Sequence, residues 1–224
     1  MGLAMAFHDR AQAGHELARR LQAYANRPNT LVLALPRGGV PVGIVVAREL
    51  GLPLDLLVVE KVRVPGEPTA ILGAVSACGV RVVDRDLARA FDISDEVVER
   101  LFERAQKAVE QREQLYRKGR PPLDLRGKTV IVVDDGVATG ASLRAAVAAA
   151  ERMGTASIVA AVPISTYAVC AELSRRITKC VCIYVRDPVY ALHLWYDELP
   201  RISDDEVATL MRQYETARQD EMRI

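Results

Sequence analysis

The sequence has almost no net charge and no long hydrophobic run. Its 30 Lys and Arg residues against 29 Asp and Glu give a formal net charge of +1, which provides no overall attraction to nucleic acid or to an anionic membrane. No apolar run approaches the ~18 residues of a membrane span. The first residues lack the cationic segment of a signal peptide and reach His8, Asp9 and Arg10 too soon for one. We therefore expect a cytoplasmic protein with neither a membrane nor a nucleic acid as its partner.

Cysteines are few and do not have the spacing of metal ligands. Of the four, Cys180 and Cys182 alternate along one apparent strand, whereas Cys78 and Cys170 lie far from them in the sequence. A zinc site would need closely spaced pairs of ligands. We therefore expect reduced, buried thiols and no zinc centre.

The chain also lacks internal repeats and low-complexity tracts, which favours a single domain over residues 1–224. With 50% hydrophobic and 26% charged residues, it can bury a large core. Predicted strands alternate with predicted helices, so the fold class is α/β, with a Rossmann-like parallel sheet flanked by helices. Residues 60–69 are polar and contain proline, which predicts a loop. Ser94, followed by two acids, predicts the start of a long helix that ends near residue 116. Ser203 and Glu206 form a capping box that predicts the start of a last helix.

The most informative stretch runs from residue 130 to residue 142. Val130 to Val133 form an apolar, β-branched run that is typical of a central parallel strand. Asp134 and Asp135 follow at its carboxyl end, where open α/β sheets bind their ligands. Because successive side chains of a strand point to opposite faces, we expect the two carboxylates to have different roles. The alternative is a solvated turn with no ligand.

The residues after the two acids predict an anion site. Gly136 to Gly140 can turn the chain tightly, Thr139 and Ser142 add hydroxyls, and a predicted helix begins at Ala141. Amides at a helix N-terminus bind anions, and this loop is best sized for one phosphate monoester. No Gly-Lys-Ser/Thr follows the glycines, which excludes a Walker loop. A ribose 5-phosphate would use both halves of the motif, since carboxylates can accept from its hydroxyls while the loop holds its phosphate.

A second strand end has the same arrangement. The strand predicted at residues 31–35 is followed by Pro36, Arg37, Gly38 and Gly39, and then by a helix. Arg37 supplies positive charge, and the two glycines allow the backbone to approach a ligand closely. The alternative is a tight turn with a structural role alone.

These motifs resemble the phosphoribosyl-pyrophosphate signature of the type I phosphoribosyltransferases, which has four apolar residues, two acids and a turn ending Ala138-Thr139-Gly140. The resemblance covers the chain from about Phe7 to Val207 and looks closest to stand-alone bacterial proteins of unassigned acceptor. It implies the type I phosphoribosyltransferase fold, with a small hood from about residues 85–120 and the C-terminal segment 186–224. It also implies a pentosyltransferase that uses phosphoribosyl pyrophosphate and Mg to ribosylate a nitrogen of a nucleobase-like acceptor, releasing pyrophosphate. A homodimer is the assembly that the family suggests.

The family pattern gives roles to individual residues. Arg37, Gly38 and Gly39 correspond to its pyrophosphate loop, and a lysine at the place of Lys61 reaches the pyrophosphate there. The resemblance therefore implies that Lys61 and Arg63 neutralise the leaving group from a mobile lid, although exposed cations commonly only solvate a loop. Asp134 and Asp135 are expected to reach magnesium through water or the ribose hydroxyls, because this ion keeps several waters. The phosphoribosyl group would be bound by Gly136, Val137, Ala138, Thr139, Gly140 and Ser142.

The acceptor is less well defined. Tyr190 and Asp197 match an aromatic residue and an aspartate, seven positions apart, that bind the base in 6-oxopurine phosphoribosyltransferases. Two features depart from that pattern: Ala138 stands where those enzymes have a carboxylate base, and no lysine follows residues 158–164. Core packing is the alternative role for Tyr190. A non-catalytic sensor of phosphoribosyl pyrophosphate or a nucleotide, on the same fold, is the alternative to an enzyme.

Overall fold

A computed structural model describes residues 6–118, 120–189 and 191–221, so the base-binding role predicted for Tyr190 lies outside the described residues. The strands are Thr30–Ala34 (β1), Leu54–Leu56 (β2), Val59–Val64 (β3), Glu67–Ser76 (β4), Arg81–Val83 (β5), Thr129–Val133 (β6), Ser157–Ser165 (β7) and Lys179–Val185 (β8). The helices are Arg10–Arg20 (α1), Gly39–Leu50 (α2), Arg85–Ala90 (α3), Asp95–Tyr116 (α4), Ala141–Arg152 (α5), Tyr167–Arg176 (α6) and Asp204–Glu221 (α7), with 3-10 turns at Gln22–Tyr24 and Leu192–Trp195.

The main sheet has five parallel strands in the order β2-β1-β6-β7-β8, which confirms the predicted Rossmann-like architecture. Residues of β1 and β6 are almost all buried, because each strand is covered on both faces. One apolar layer joins the sheet to α1, α2 and α7, and a second joins it to α5 and α6. The sheet thus lies between two layers of helices.

The order of the strands determines where a ligand can bind. The chain leaves β1 through α2 towards β2 on one side, and leaves β6 through α5 towards β7 on the other. A crevice therefore opens between the carboxyl ends of β1 and β6, at the switch point of the topology. Ala34 pairs with Val133 in the last register position, so the loops after both strands begin side by side.

A second sheet, antiparallel and of three strands, forms a small hood in the order β3-β4-β5. The loop predicted at residues 60–69 is instead a β-hairpin, in which Lys61 pairs with Ala74 and Gly66 turns the chain with a φ of +81°. The stretch forms strands because Val62 and Val64 alternate with polar residues and bury against α4. The predicted hood boundaries, 85–120 and 186–224, did not include this sheet.

Helix α4 packs against the hood sheet and α7 packs against α4, and both helices begin where the sequence predicted. Ser94 caps α4 by accepting a hydrogen bond from Val97 N (3.4 Å). Ser203 and Glu206 form a reciprocal capping box at the start of α7. Within the described ranges, no helix has the length and hydropathy that a membrane crossing requires.

The cysteines are all free thiols, and three of them lie together. Cys170 on α6 lies near Cys180 and Cys182 on β8, although it is far from them in sequence. The Cys182 thiol donates a hydrogen bond to the carbonyl oxygen of Tyr184 (3.0 Å). In the part of the chain that the structure describes, no three His, Cys, Asp or Glu side chains are arranged to hold a metal ion.

Candidate functional site

Two adjoining cavities lie in the crevice at the carboxyl ends of β1 and β6. The first has a volume of about 280 Å³, lies under the hood and is rich in charged groups. The second has a volume of about 460 Å³ and lies over the loop that begins α5. Lys61, Asp134, Gly136, Ser142 and Leu192 line both cavities, so the two form one continuous site.

Asp134 lies at the junction of the two cavities and is partly exposed. Its Oδ1 accepts a hydrogen bond from Asp135 N (2.9 Å). Burial and the negative charge of Asp135 raise the pKa of Asp134 to about 8, although the positive charge of Lys61 opposes this rise. Asp134 is therefore a carboxylate that a cation or a hydroxyl-bearing ligand would stabilise.

Asp135 is bound differently, as the alternation of side chains along the strand predicts. Its Oδ2 accepts from Arg10 Nε (2.9 Å) and lies 2.8 Å from Arg10 Nη2, and both side chains are nearly buried. The backbone carbonyl of Asp135 accepts a hydrogen bond from the buried Tyr196 hydroxyl (2.7 Å). Asp135 therefore anchors the loop, although its side chain also reaches the wall of the first cavity.

The loop after β1 lies against both aspartates. It contains a cis peptide bond between Pro36 and Arg37. A Cβ on Gly38 would lie 2.0 Å from Asp135 Oδ2, and one on Gly39 would lie 2.7 Å from the carbonyl oxygen of Val133. Only glycine permits this approach, so the two loops predicted from sequence do meet in space.

Replacing Gly39 by alanine is expected to destabilise the fold by roughly 1–3 kcal/mol, because the new methyl group would meet fixed backbone atoms. These are the carbonyl oxygen of Val133 at 2.7 Å and the Cα of Asp134 at 2.9 Å. Urea unfolding would measure the effect. An unchanged or higher stability of Gly39→Ala would contradict a steric origin, because an alanine that fits its site stabilises a protein by restricting the unfolded chain.

The loop after β6 leads into α5 as predicted. Gly140 caps the helix with a φ of +79°, and Thr139 O accepts a hydrogen bond from Arg144 Nη1 (2.8 Å). Residues 136–143 line the second cavity, so the N-terminus of α5 opens onto it. An anion placed there would lie at the positive end of the helix dipole.

Four cationic side chains line the first cavity, and three of them are site residues predicted from the sequence. Lys61 and Arg63 project from the same face of β3, opposite to the buried Val62, while Arg37 enters from the loop after β1. The fourth, Arg112, comes from α4 and is ion-paired with Glu60.

Arg10 and Arg112 were not predicted from the sequence. One local feature marks both, because each is a charged residue on the buried face of an amphipathic helix. Arg112 lies on the apolar stripe of α4, between Val109 and Tyr116, and Arg10 lies on the stripe of α1 that contains Gly14. A charge on the buried face of an amphipathic helix needs a partner in the interior.

The structure does not bring Asp197 to either cavity. Its carboxylate is half-exposed and lies 3.4 Å from His8 Nδ1, while its amide donates to Phe7 O (3.0 Å). The apolar wall of the second cavity is formed instead by Ile71, Val189 and Leu192.

Comparison with known proteins gives relatives that cover the chain. A crystal structure of TT1426 from Thermus thermophilus has a TM-score of 0.76 and 35% sequence identity, and the match covers 94% of this chain and 99% of that one. Two proteins of Mycobacterium tuberculosis, from strains CDC 1551 and H37Rv, are provisionally named as phosphoribosyl transferases. Each is 36% identical over 205 residues, 92% of this chain and 46% of the relative. The chain therefore spans about half the length of these curated relatives.

The family model that matches the chain is the phosphoribosyl transferase domain, over residues 6–184. The match contains β1, β6 and the loops that follow them. The chain therefore belongs to the phosphoribosyl transferase domain family.

Proposed function

We propose that the protein is a phosphoribosyltransferase that transfers phosphoribosyl from phosphoribosyl pyrophosphate to a nitrogen of a nucleobase-like acceptor. One observation carries the proposal: a cation-lined cavity and a helix N-terminus lie on either side of Asp134. The donor has three parts in the same order, namely a pyrophosphate, a ribose with two hydroxyls and a 5-phosphate.

Each part of the donor has a chemically suitable partner in the site. Arg37, Lys61 and Arg63 line the first cavity, where they would offset the charge of the pyrophosphate. Asp134 accepts from the ribose hydroxyls, and the loop from Gly136 to Gly140 holds the 5-phosphate at the start of α5.

The reaction requires electrostatic stabilisation more than proton transfer. Breaking the bond between C1 of ribose and pyrophosphate gives the sugar oxocarbenium character and leaves negative charge on the departing group. Fixed cations stabilise that charge best where water is excluded. The hood sheet and α4 cover the cavity from above, and Lys61 lies on the strand of the hood that faces it.

The residues present fit a magnesium ion that arrives with the donor. Asp134 offers an oxygen ligand, which this ion prefers. Burial and the negative charge of Asp135 raise the pKa of Asp134, so an added cation would favour its charged form. No cage of three ligating side chains surrounds it within the described residues. Asp134 would therefore hold the ion through water or the ribose hydroxyls, and the ion would supply charge stabilisation to the pyrophosphate.

The acceptor is proposed to bind in the second cavity, against Ile71, Val189 and Leu192. These side chains give an apolar wall suited to the face of a flat ring. Ala138 lines the same cavity, so the position that holds a carboxylate base in the 6-oxopurine enzymes supplies none here. An acceptor that needs no carboxylate at that position to remove its proton is therefore favoured.

The proposal is tested by incubating the protein with phosphoribosyl pyrophosphate, magnesium and a panel of nucleobases and following pyrophosphate release. Release that depends on one acceptor, with formation of its ribosylated product, is the expected result. Tight donor binding without turnover for any acceptor would favour the alternative, a non-catalytic sensor of the same ligand. Failure to bind the donor would overturn both functions.

A further inference from the structure

Arg112 on α4 lines the proposed pyrophosphate cavity and also contacts two carboxylates. It lies on the inner face of α4, and its side chain is 28% exposed. Its Nη1 is ion-paired with Glu60, and its Nε lies 3.4 Å from Asp204 Oδ2. An arginine needed only to stabilise the hood would not have to line the cavity.

Asp204 joins this arginine to the loop after β1. Its Oδ1 accepts a hydrogen bond from the Tyr116 hydroxyl and lies 3.9 Å from Arg37 Nη1. Glu60 on β3 and Asp204 at the start of α7 thus contact two of the four cations that line the cavity. These two carboxylates offset positive charge that an anion in the cavity would otherwise meet.

We propose that Arg112 is a pyrophosphate-binding residue that Glu60 and Asp204 mask until the anion enters. This inference rests on the proposed function. A guanidinium has five N–H donors in a planar fork, more than two carboxylate contacts require. Arg112 can therefore turn towards a phosphate while it stays within reach of Asp204. When pyrophosphate leaves, the carboxylates take the arginine back, which favours release of the product.

If Glu60 masks Arg112, neutralising one member of this ion pair should lower pyrophosphate affinity and neutralising the other should raise it. Arg112→Gln removes a cation and is expected to weaken pyrophosphate binding by about tenfold or more, as expected for loss of a charge-assisted hydrogen bond. Glu60→Gln keeps the shape of the side chain but removes the competing charge, so pyrophosphate should bind several-fold more tightly. A purely structural salt bridge predicts no such opposition.

The experiment measures the binding of inorganic pyrophosphate and of ribose 5-phosphate by calorimetry, in EDTA so that no metal bridges Glu60 to the ligand. Arg81→Gln is the matched control, because Arg81 is paired with Glu99 on the hood (2.7 Å) and does not line the cavity. We expect pyrophosphate affinity to fall for Arg112→Gln, to rise for Glu60→Gln and to stay unchanged for Arg81→Gln. Affinity for ribose 5-phosphate should stay within about twofold of the wild type in all three variants, since the 5-phosphate loop lies on the other side of Asp134.

Arg112→Lys keeps the charge and replaces Arg112→Gln as the test variant if the latter does not fold. It should bind pyrophosphate more tightly than any neutral replacement of Arg112 that folds. Changes of the same sign for Glu60→Gln and Arg112→Gln, or an unchanged affinity in Arg112→Gln, would overturn the inference while leaving the proposed function in place. A wild-type protein that binds neither pyrophosphate nor ribose 5-phosphate, either in EDTA or with magnesium present, would instead remove the proposed function, and the inference with it.

Discussion

Asp134→Asn is expected to lower kcat/KM for phosphoribosyl transfer on the order of 10²–10³-fold, comparable to the loss of one preorganised group that stabilises charge. The carboxylate lies where both cavities meet, so it is the group best placed for the ribose hydroxyls and for a magnesium ion. An amide keeps the size of the side chain but loses its negative charge. It also replaces one of two hydrogen-bond acceptors by a donor.

The same variant is expected to fold normally. Asn can retain the bond from Asp135 N, which needs only an oxygen at the position of Oδ1. Burial and Asp135 already disfavour the charged form at this position, as the raised pKa shows, so a neutral group costs little stability.

Steady-state rates and urea unfolding, measured on the same preparation, would separate the two effects. Asp92→Asn is the control, since Asp92 is exposed and its φ of 51° suits asparagine as well as aspartate. An unchanged kcat/KM in Asp134→Asn would contradict the proposed role, as would a loss of activity that parallels a loss of folded protein.

The parts of the fold that sequence predicted are those with local signals. The strand at residues 129–133 follows from an apolar β-branched run, and the start of α7 follows from the spacing of Ser203 and Glu206. Both loops of the site contain glycines. In the loop after β1, Gly38 and Gly39 are needed because they lie against the residues at the end of β6. Local chemistry and the rule for parallel sheets together place these loops side by side.

The parts that sequence did not predict depend on partners distant in the chain. Arg10 and Asp135 are 125 positions apart, and no local pattern pairs them. The hood hairpin was missed because a proline and several charges obscured the alternation of Val62 and Val64. For Asp197, a spacing of seven residues matched a family pattern, but the intervening 3-10 turn directs its carboxylate to His8. Spacing predicts a shared site only when the backbone between the two residues is known.

Arg10→Met is expected to lower the free energy of unfolding by about 3–5 kcal/mol, the usual cost of leaving one member of a buried ion pair without its partner. Arg10 and Asp135 have side chains only 12% and 11% exposed, and two nitrogens of the guanidinium contact one carboxylate oxygen. Methionine fills similar space but leaves the charge of Asp135 uncompensated beside Asp134. Arg89→Met is the control, because its pair with Asp86 is almost fully exposed and should cost no more than about 1 kcal/mol.

A double-mutant cycle with Asp135→Asn distinguishes a charge effect from lost packing. If uncompensated charge is the cause, Arg10→Met with Asp135→Asn should be more stable than the sum of the single losses implies, since the second change removes the buried charge. Additive losses, or a cost for Arg10→Met no larger than for Arg89→Met, would contradict this explanation.

Because a Cβ on Gly38 would lie 2.0 Å from Asp135 Oδ2, the loop with Arg37 leaves no room for that carboxylate to move towards it. We therefore expect Arg10 to act as a positioning residue, which keeps Asp135 in place and leaves Asp134 available to the proposed ligand.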